Sequence, residues 1–157
     1  MINKMLKSKG FTLVEIVVSI AITILISLIV ISTFASFNNQ QVLKKETDAA
    51  LSVLEKARSL TLSSKDSTQY GVRFQSNSFI FFNGASFSSS SPSNEITVLD
   101  NKVRIADINL SSNGVDVVFD RLKGSTSQNG TITFLETADS SKTKTITIYQ
   151  TGLIESN

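Results

Sequence analysis

Glu15 is the side chain whose position most demands a chemical explanation, because it is the one charge in an otherwise apolar run from Phe11 to Phe37. An ionised carboxylate costs about 2.5–3.5 kcal/mol near mid-bilayer and less toward the edge. By geometry alone Glu15, one turn into the run, can snorkel to the headgroups to offset that cost. Among the other acids, Asp116 and Asp120 lie near each other in sequence, and Asp100, Asp107 and Asp139 sit in or beside turn signals. A carboxylate pair or an oxygen-liganded calcium site can be imagined from them. No loop has EF-hand spacing, however, and the segment Thr151 to Asn157 offers only Glu155, so solvated turn acids are the preferred reading. The chain has no histidine and no cysteine, which removes the usual general base, the commonest zinc ligand, thiol nucleophiles and disulfides. No glycine-rich loop joins a strand to a helix as nucleotide binding requires. The expectation is a protein with no catalytic residue, no metal and no cofactor.

The element that must hold Glu15 is a helix. Phe11 to Phe37 contains neither glycine nor proline, and as a helix it would extend about 40 Å, more than the roughly 30 Å of a bilayer core. A transmembrane helix over 11–37 follows. A buried core helix is the alternative, but such helices are amphipathic and this run is apolar all round. A secretory signal peptide is another, since Thr33-Phe34-Ala35 loosely fits a small-x-small cleavage pattern, but its apolar region should span only about 7 to 15 residues. Residues 1–10 form a basic leader with Lys4, Lys7 and Lys9 and no acid. Positive charge before a first span holds that end in the cytoplasm and places the remainder outside, although Lys44 and Lys45 weaken the asymmetry.

The net charge of +2 resides in that leader: of 15 basic residues three are its lysines, leaving 12 against 13 acids. With Arg73, Arg104 and Arg121 scattered, the sequence gives no support for a nucleic-acid partner.

Gly10 closing the leader, followed by Phe11-Thr12-Leu13-Val14-Glu15 opening the helix, resembles the prepilin processing site of type IV pilins and of the pseudopilins of type II secretion. The resemblance implies that a prepilin peptidase cuts between Gly10 and Phe11 and methylates the new terminus to N-methylphenylalanine. It also implies that Glu15 pairs with the Phe11 amine of a neighbouring subunit during filament assembly. Opposite charges at similar depth are physically suited to this. Many relatives carry a proline about two-thirds along the apolar helix, where this chain has Ser32.

Beyond the run, Leu43, Ala50, Leu54, Ala57 and Leu60 recur at helical spacing, predicting an amphipathic helix extension over 38–62 that packs on a sheet of the same chain rather than forming a coiled coil. Residues 68–157 read as an extracytoplasmic β-rich domain. Its strand candidates are Tyr70 to Phe74, Phe79 to Phe82, Ile96 to Leu99, Val103 to Ile105, Val115 to Phe119, Thr131 to Leu135 and Thr145 to Tyr149. Turn signals between them predict antiparallel hairpins. Ser86 to Asn94 and Asp120 to Gly130 read as mobile polar loops, whose serines suit a solvated surface better than glycosylation or partner sites. The segments Ala57-Arg58-Ser59, Tyr70 to Phe74, Gly124, Gly130 to Phe134, Ile146 to Ile148 and Thr151 to Ile154 resemble the GspH/FimT group of minor pseudopilins.

The expected fold is α+β and type IV pilin-like: a long N-terminal helix, its first half transmembrane, with an antiparallel β-sheet domain on its C-terminal half. The expected role is assembly into a type II secretion pseudopilus or a type IV pilus, as a minor pseudopilin in protein secretion. A pilus or DNA-uptake pseudopilin is the alternative, and a single-pass membrane-anchored β-domain that binds a ligand or acts as an enzyme is the rival from another class. The resemblance implies as partners a prepilin peptidase, other pilins, an assembly platform with its ATPase, and the cytoplasmic membrane.

Overall fold

The computed structural model describes residues 10–111 and 113–157, without the side chains at 28, 30–33 and 35. The leader lysines Lys4, Lys7 and Lys9 lie outside the described residues, as do the side chains of Ser32, Thr33 and Ala35. One long helix, α1 (Leu13–Leu62), is followed by eight strands: β1 (Tyr70–Gln75), β2 (Ser78–Asn83), β3 (Glu95–Val98), β4 (Val103–Leu110), β5 (Asp116–Val118), β6 (Gly130–Glu136), β7 (Thr143–Ile148) and β8 (Ile154–Ser156). The chain divides into two compact units, 1–37 and 38–157.

In the first unit, helix formation begins where a threonine can cap it. The Thr12 hydroxyl accepts from the Glu15 N–H at 3.2 Å, and Ile16 N–H bonds Thr12 O at 3.1 Å, the geometry of an N-cap three residues before its partner. Every large apolar side chain named on this unit's surface is at least 49% exposed, from Phe11 at 78% to Phe37 at 57%. Among the described residues no helix is long and apolar enough to cross a membrane.

In the second unit the helical stripe finds its sheets. Leu43, Ala50, Leu54 and Ala57 are buried, with Leu60 partly so, because spacings of three, four and seven put them on one face. Two four-stranded antiparallel sheets share this helix where one was expected: β3-β2-β1-β5 and β4-β6-β7-β8. Their inward side chains, Val72, Phe74, Phe79, Val117 and Phe119 from the first and Ile105, Ile132, Phe134, Ile146 and Ile148 from the second, form a continuous core with the helix stripe. Two threonines on the buried face satisfy themselves: Thr47 and Thr61 donate to Leu43 O and Ala57 O, each at 2.8 Å. Thr61 Oγ1 also accepts from Tyr70 N–H at 3.0 Å, fixing the start of β1 to the last helical turns.

All seven predicted runs contain strands, most with bounds shifted by a residue or two, and three points stand out. β4 continues to Leu110 because a bulge between Ile105 and Asp107 shifts its register against β6; β7 stops at Ile148 before a turn; and β8, not predicted, pairs with β7. The two polar loops are tied down rather than mobile. Phe87 meets Phe82 edge-on at 5.6 Å and lies 4.1 Å beneath the Arg73 guanidinium. The 120–130 loop bonds the turn before β8 through Thr126 N–H to Gln150 O at 3.0 Å and the helix through Leu122 N–H to Thr61 O at 3.2 Å.

Candidate functional site

The sequence-predicted site residues Gly10, Phe11 and Glu15 fall together at the beginning of α1, and all are exposed. Gly10 precedes the helix, and a Cβ built on it meets nothing within 4 Å. Among the described residues nothing therefore requires a glycine there. Glu15 is in the first helical turn, where the unpaired N–H groups and helix dipole favour a negative charge. Thr12, which the sequence reading did not single out, supplies the threonine half of a capping box; the T-x-x-E spacing of Thr12 and Glu15 was the available signal.

Behind Glu15 the same face carries a hydroxyl ladder. Ser19 Oγ donates to Glu15 O at 2.7 Å, Thr23 Oγ1 to Ser19 O at 2.8 Å and Ser27 Oγ to Thr23 O at 2.8 Å. Each hydroxyl proton is thus used within one turn of its own helix, so these polar residues carry no unsatisfied donor into an apolar setting.

The other candidate residues serve the domain itself. Asp116 is held bidentately by Arg73, at 2.6 and 2.8 Å, and this hydrogen-bonded carboxylate raises the Arg73 pKa against the opposing effect of burial. Asp116 is therefore an ion-paired strand residue, not a solvated turn acid, while Asp120 instead accepts from Ser125 Oγ at 2.8 Å. Asp100 and Asp139 each accept from the backbone N–H two residues on, at 2.9 and 3.0 Å, as Asx turns do. Among the described residues no group of three or more acidic, histidine or cysteine side chains could hold a metal. Arg121 binds Ser64 Oγ at 2.6 Å and Ser67 O at 3.1 Å.

Three of the short motifs converge. Arg58 Nε donates to Gly124 O at 3.2 Å, and Gly152, at φ +81°, lies so close to this carbonyl that a Cβ would stand 1.7 Å from the oxygen. The end of the helix, the 120–130 loop and the turn before β8 are thereby locked by one charged side chain and two glycines.

A family profile described as the prokaryotic N-terminal methylation motif matches residues 5–35. No curated protein matches the chain significantly. Among solved structures the fold is similar to the type IV minor pilin FimU of Pseudomonas aeruginosa (strain PAO1), seen in two crystal forms. One has 15% identity and a TM-score of 0.57, covering 73% of this chain and 92% of that one. The other has 15% identity and a TM-score of 0.60, covering 77% and 92%. A methylation motif matched at the opening of the helix, and a fold like that of a type IV minor pilin, are what this chain shares with known proteins.

Proposed function

We propose that this type IV pilin-like subunit is a non-catalytic building block of a filament, matured by cleavage between Gly10 and Phe11 and methylation of the Phe11 amine. The observation that carries the reading is the exposed start of α1: an apolar run with one carboxylate, capped by Thr12 and uncovered on its own surface. Residues 11–37 span the cytoplasmic membrane before assembly, with 1–10 in the cytoplasm and 38–157 outside. On extraction by a platform and its ATPase, the runs of neighbouring subunits replace lipid around one another. Glu15 of one subunit then neutralises the Phe11 amine of the next, and each ion makes the other's burial tolerable.

Within this class we favour a minor pseudopilin of type II secretion, on the short motifs that converge at Arg58, Gly124 and Gly152. The likeness to a type IV minor pilin supports the second reading, a pilus subunit. Loss of a secreted protein on deleting the gene, with surface fibres intact, would select the first reading; the converse would select the second.

Intact-mass measurement on membranes tests the processing step, with a chain starting at Phe11 and heavier by one methyl group expected. Gly10→Leu should remain uncut, and because no described residue crowds Gly10, misfolding would not account for that result. Persistence of Met1 in a strain with active prepilin peptidase would overturn the reading.

A further inference from the structure

At the end of the second unit where the helix enters it, a cavity of about 310 Å³ is lined by Gln40, Gln41, Leu43, Lys44, Ser141, Lys142, Thr143 and Lys144. Three of those side chains are cations and none is an acid. Lys44 and Lys142 are exposed, whereas Lys144 is half-buried on the inward row of β7 that continues as Ile146 and Ile148. Among the described residues none of the three lysines has an acid at ion-pair distance. The acids of the same end have other hydrogen-bond or ion-pair partners: Glu136 accepts from Asn39 Nδ2 at 2.7 Å, Asp139 from Ser141 Oγ at 2.6 Å while also feeling the charge of Lys142, and Glu46 lies 3.7 Å from Lys45 Nζ. The two glutamine amides and the Thr143 hydroxyl add neutral donors. Such a lining suits an anion with several acceptor oxygens.

We propose that this cavity receives the phosphodiester headgroup of an anionic phospholipid on the outer face of the membrane. The inference rests on the membrane reading of residues 11–37. What selects a lipid over a free anion is the tether of the three lysines. Lys44 follows Phe37, the last residue of the apolar run, by a stretch of chain that reaches no more than about 25 Å even when fully extended. A cation cluster held this near a membrane anchor samples headgroups at high effective concentration. Anchored subunits would thereby keep a fixed face toward the bilayer before assembly.

The full chain in nanodiscs of phosphatidylcholine, with or without phosphatidylglycerol, provides the test. Amine acetylation mapped by mass spectrometry should slow about fivefold or more at Lys44, Lys142 and Lys144 in the anionic discs, the factor expected per lysine at an anionic surface. Lys65 and Lys123, exposed near the other end of the helix segment, should label alike in both. In the double variant Lys142→Gln, Lys144→Gln the protection of Lys44 should be lost. A chain that enters both discs and labels alike, or is protected alike by a second copy, overturns this inference alone. Equal protection by inorganic phosphate in neutral discs overturns the lipid assignment. A chain that enters neither disc overturns the membrane reading and the inference with it.

Discussion

Gly152→Ala is the substitution whose cost the structure states most directly. At φ +81° the new side chain occupies the left-handed region, which costs about 1–2 kcal/mol for a residue with a Cβ. The Cβ would also stand 1.7 Å from Gly124 O and 2.9 Å from Arg58 Nε. The Gly124 peptide must move, and with it goes the hydrogen bond that Arg58 donates at 3.2 Å, a charged bond with a contribution of about 1.5–3 kcal/mol. Together these give about 2.5–5 kcal/mol, a large part of the roughly 5–15 kcal/mol that holds a typical domain. For a unit of this size the melting temperature should fall by roughly 10–20 °C. Thermal unfolding of the full chain in mild detergent, followed by the near-ultraviolet signal of Tyr70, which is 5% exposed, would read it. Two other glycines calibrate the scale. Gly84→Ala at φ +125°, with its nearest neighbour at 3.5 Å, should show the backbone cost without the clash, and Gly10→Ala should show neither. A Gly152→Ala protein that melts within about 3 °C of wild type, less than 1 kcal/mol by the same scale, would refute the lock between Arg58, Gly124 and Gly152.

Other expectations follow from single contacts. Arg73→Leu and Asp116→Asn should each destabilise by about 1–2 kcal/mol, since the bidentate pair is only partly exposed, at 29% and 27%; a double-mutant cycle in urea with no coupling would remove the pair from the account. Burial first, and then the hydrogen bond to Asp66 Oδ2 at 2.9 Å, raise the Tyr70 hydroxyl above its ordinary pKa of 10.0. Its contribution is complete below about pH 10 and is lost as pH rises through the raised folded value, so the urea midpoint should fall more steeply with alkali in wild type than in Tyr70→Phe; equal slopes would contradict this. Glu15→Leu should insert and be processed normally but fail to enter filaments, because a buried pair broken on one side costs about 3–5 kcal/mol; wild-type crosslinking between assembled subunits would leave Glu15 without an assembly role.

How much of this was legible in the sequence depended on whether a pattern stayed in phase. Leu43, Ala50, Leu54 and Ala57 are apolar at helical spacing, and all four are buried. Thr47 and Thr61 share that buried face and were invisible to the same rule, because a hydroxyl that returns its proton to the carbonyl four residues back can be buried at little cost. Val103 and Ile105 were readable as a strand, but Ile108 and Leu110 were not, since the bulge after Ile105 adds one residue and moves the alternation out of step. Strand β8 is three residues with two polar side chains, and its pairing comes from a turn closed by Gly152 N–H on Tyr149 O at 2.8 Å, a feature with no hydrophobic signature. Glu15 stood out because a charge in an apolar run is conspicuous, and Gly10 and Phe11 because the residues around it resemble a prepilin processing site. The Thr12 cap lay in the same five residues and was missed, because a threonine among isoleucines reads as filler until its hydroxyl is seen on the Glu15 amide.

The distribution of apolar surface ties these observations to a way of working. In the second unit Phe74, Phe79, Phe119 and Phe134 are fully buried by their own chain, each worth about 1.5–3 kcal/mol of burial, so that unit has its own reason to fold. The named apolar side chains of residues 11–37 are half or more exposed, and the same arithmetic leaves a comparable stabilisation unrealised at every one of them. Such a surface must be covered by something else, and lipid and the runs of neighbouring subunits are chemically equivalent covers, so exchanging one for the other changes the apolar term little. On the proposed function, what would distinguish the two environments is then polar: a Phe11 amine freed by cleavage and Glu15 would each need an opposite charge once the headgroups are left behind. A subunit built this way would leave the membrane under the pull of a motor without a large hydrophobic penalty, and the single carboxylate would decide where in the stack it stops.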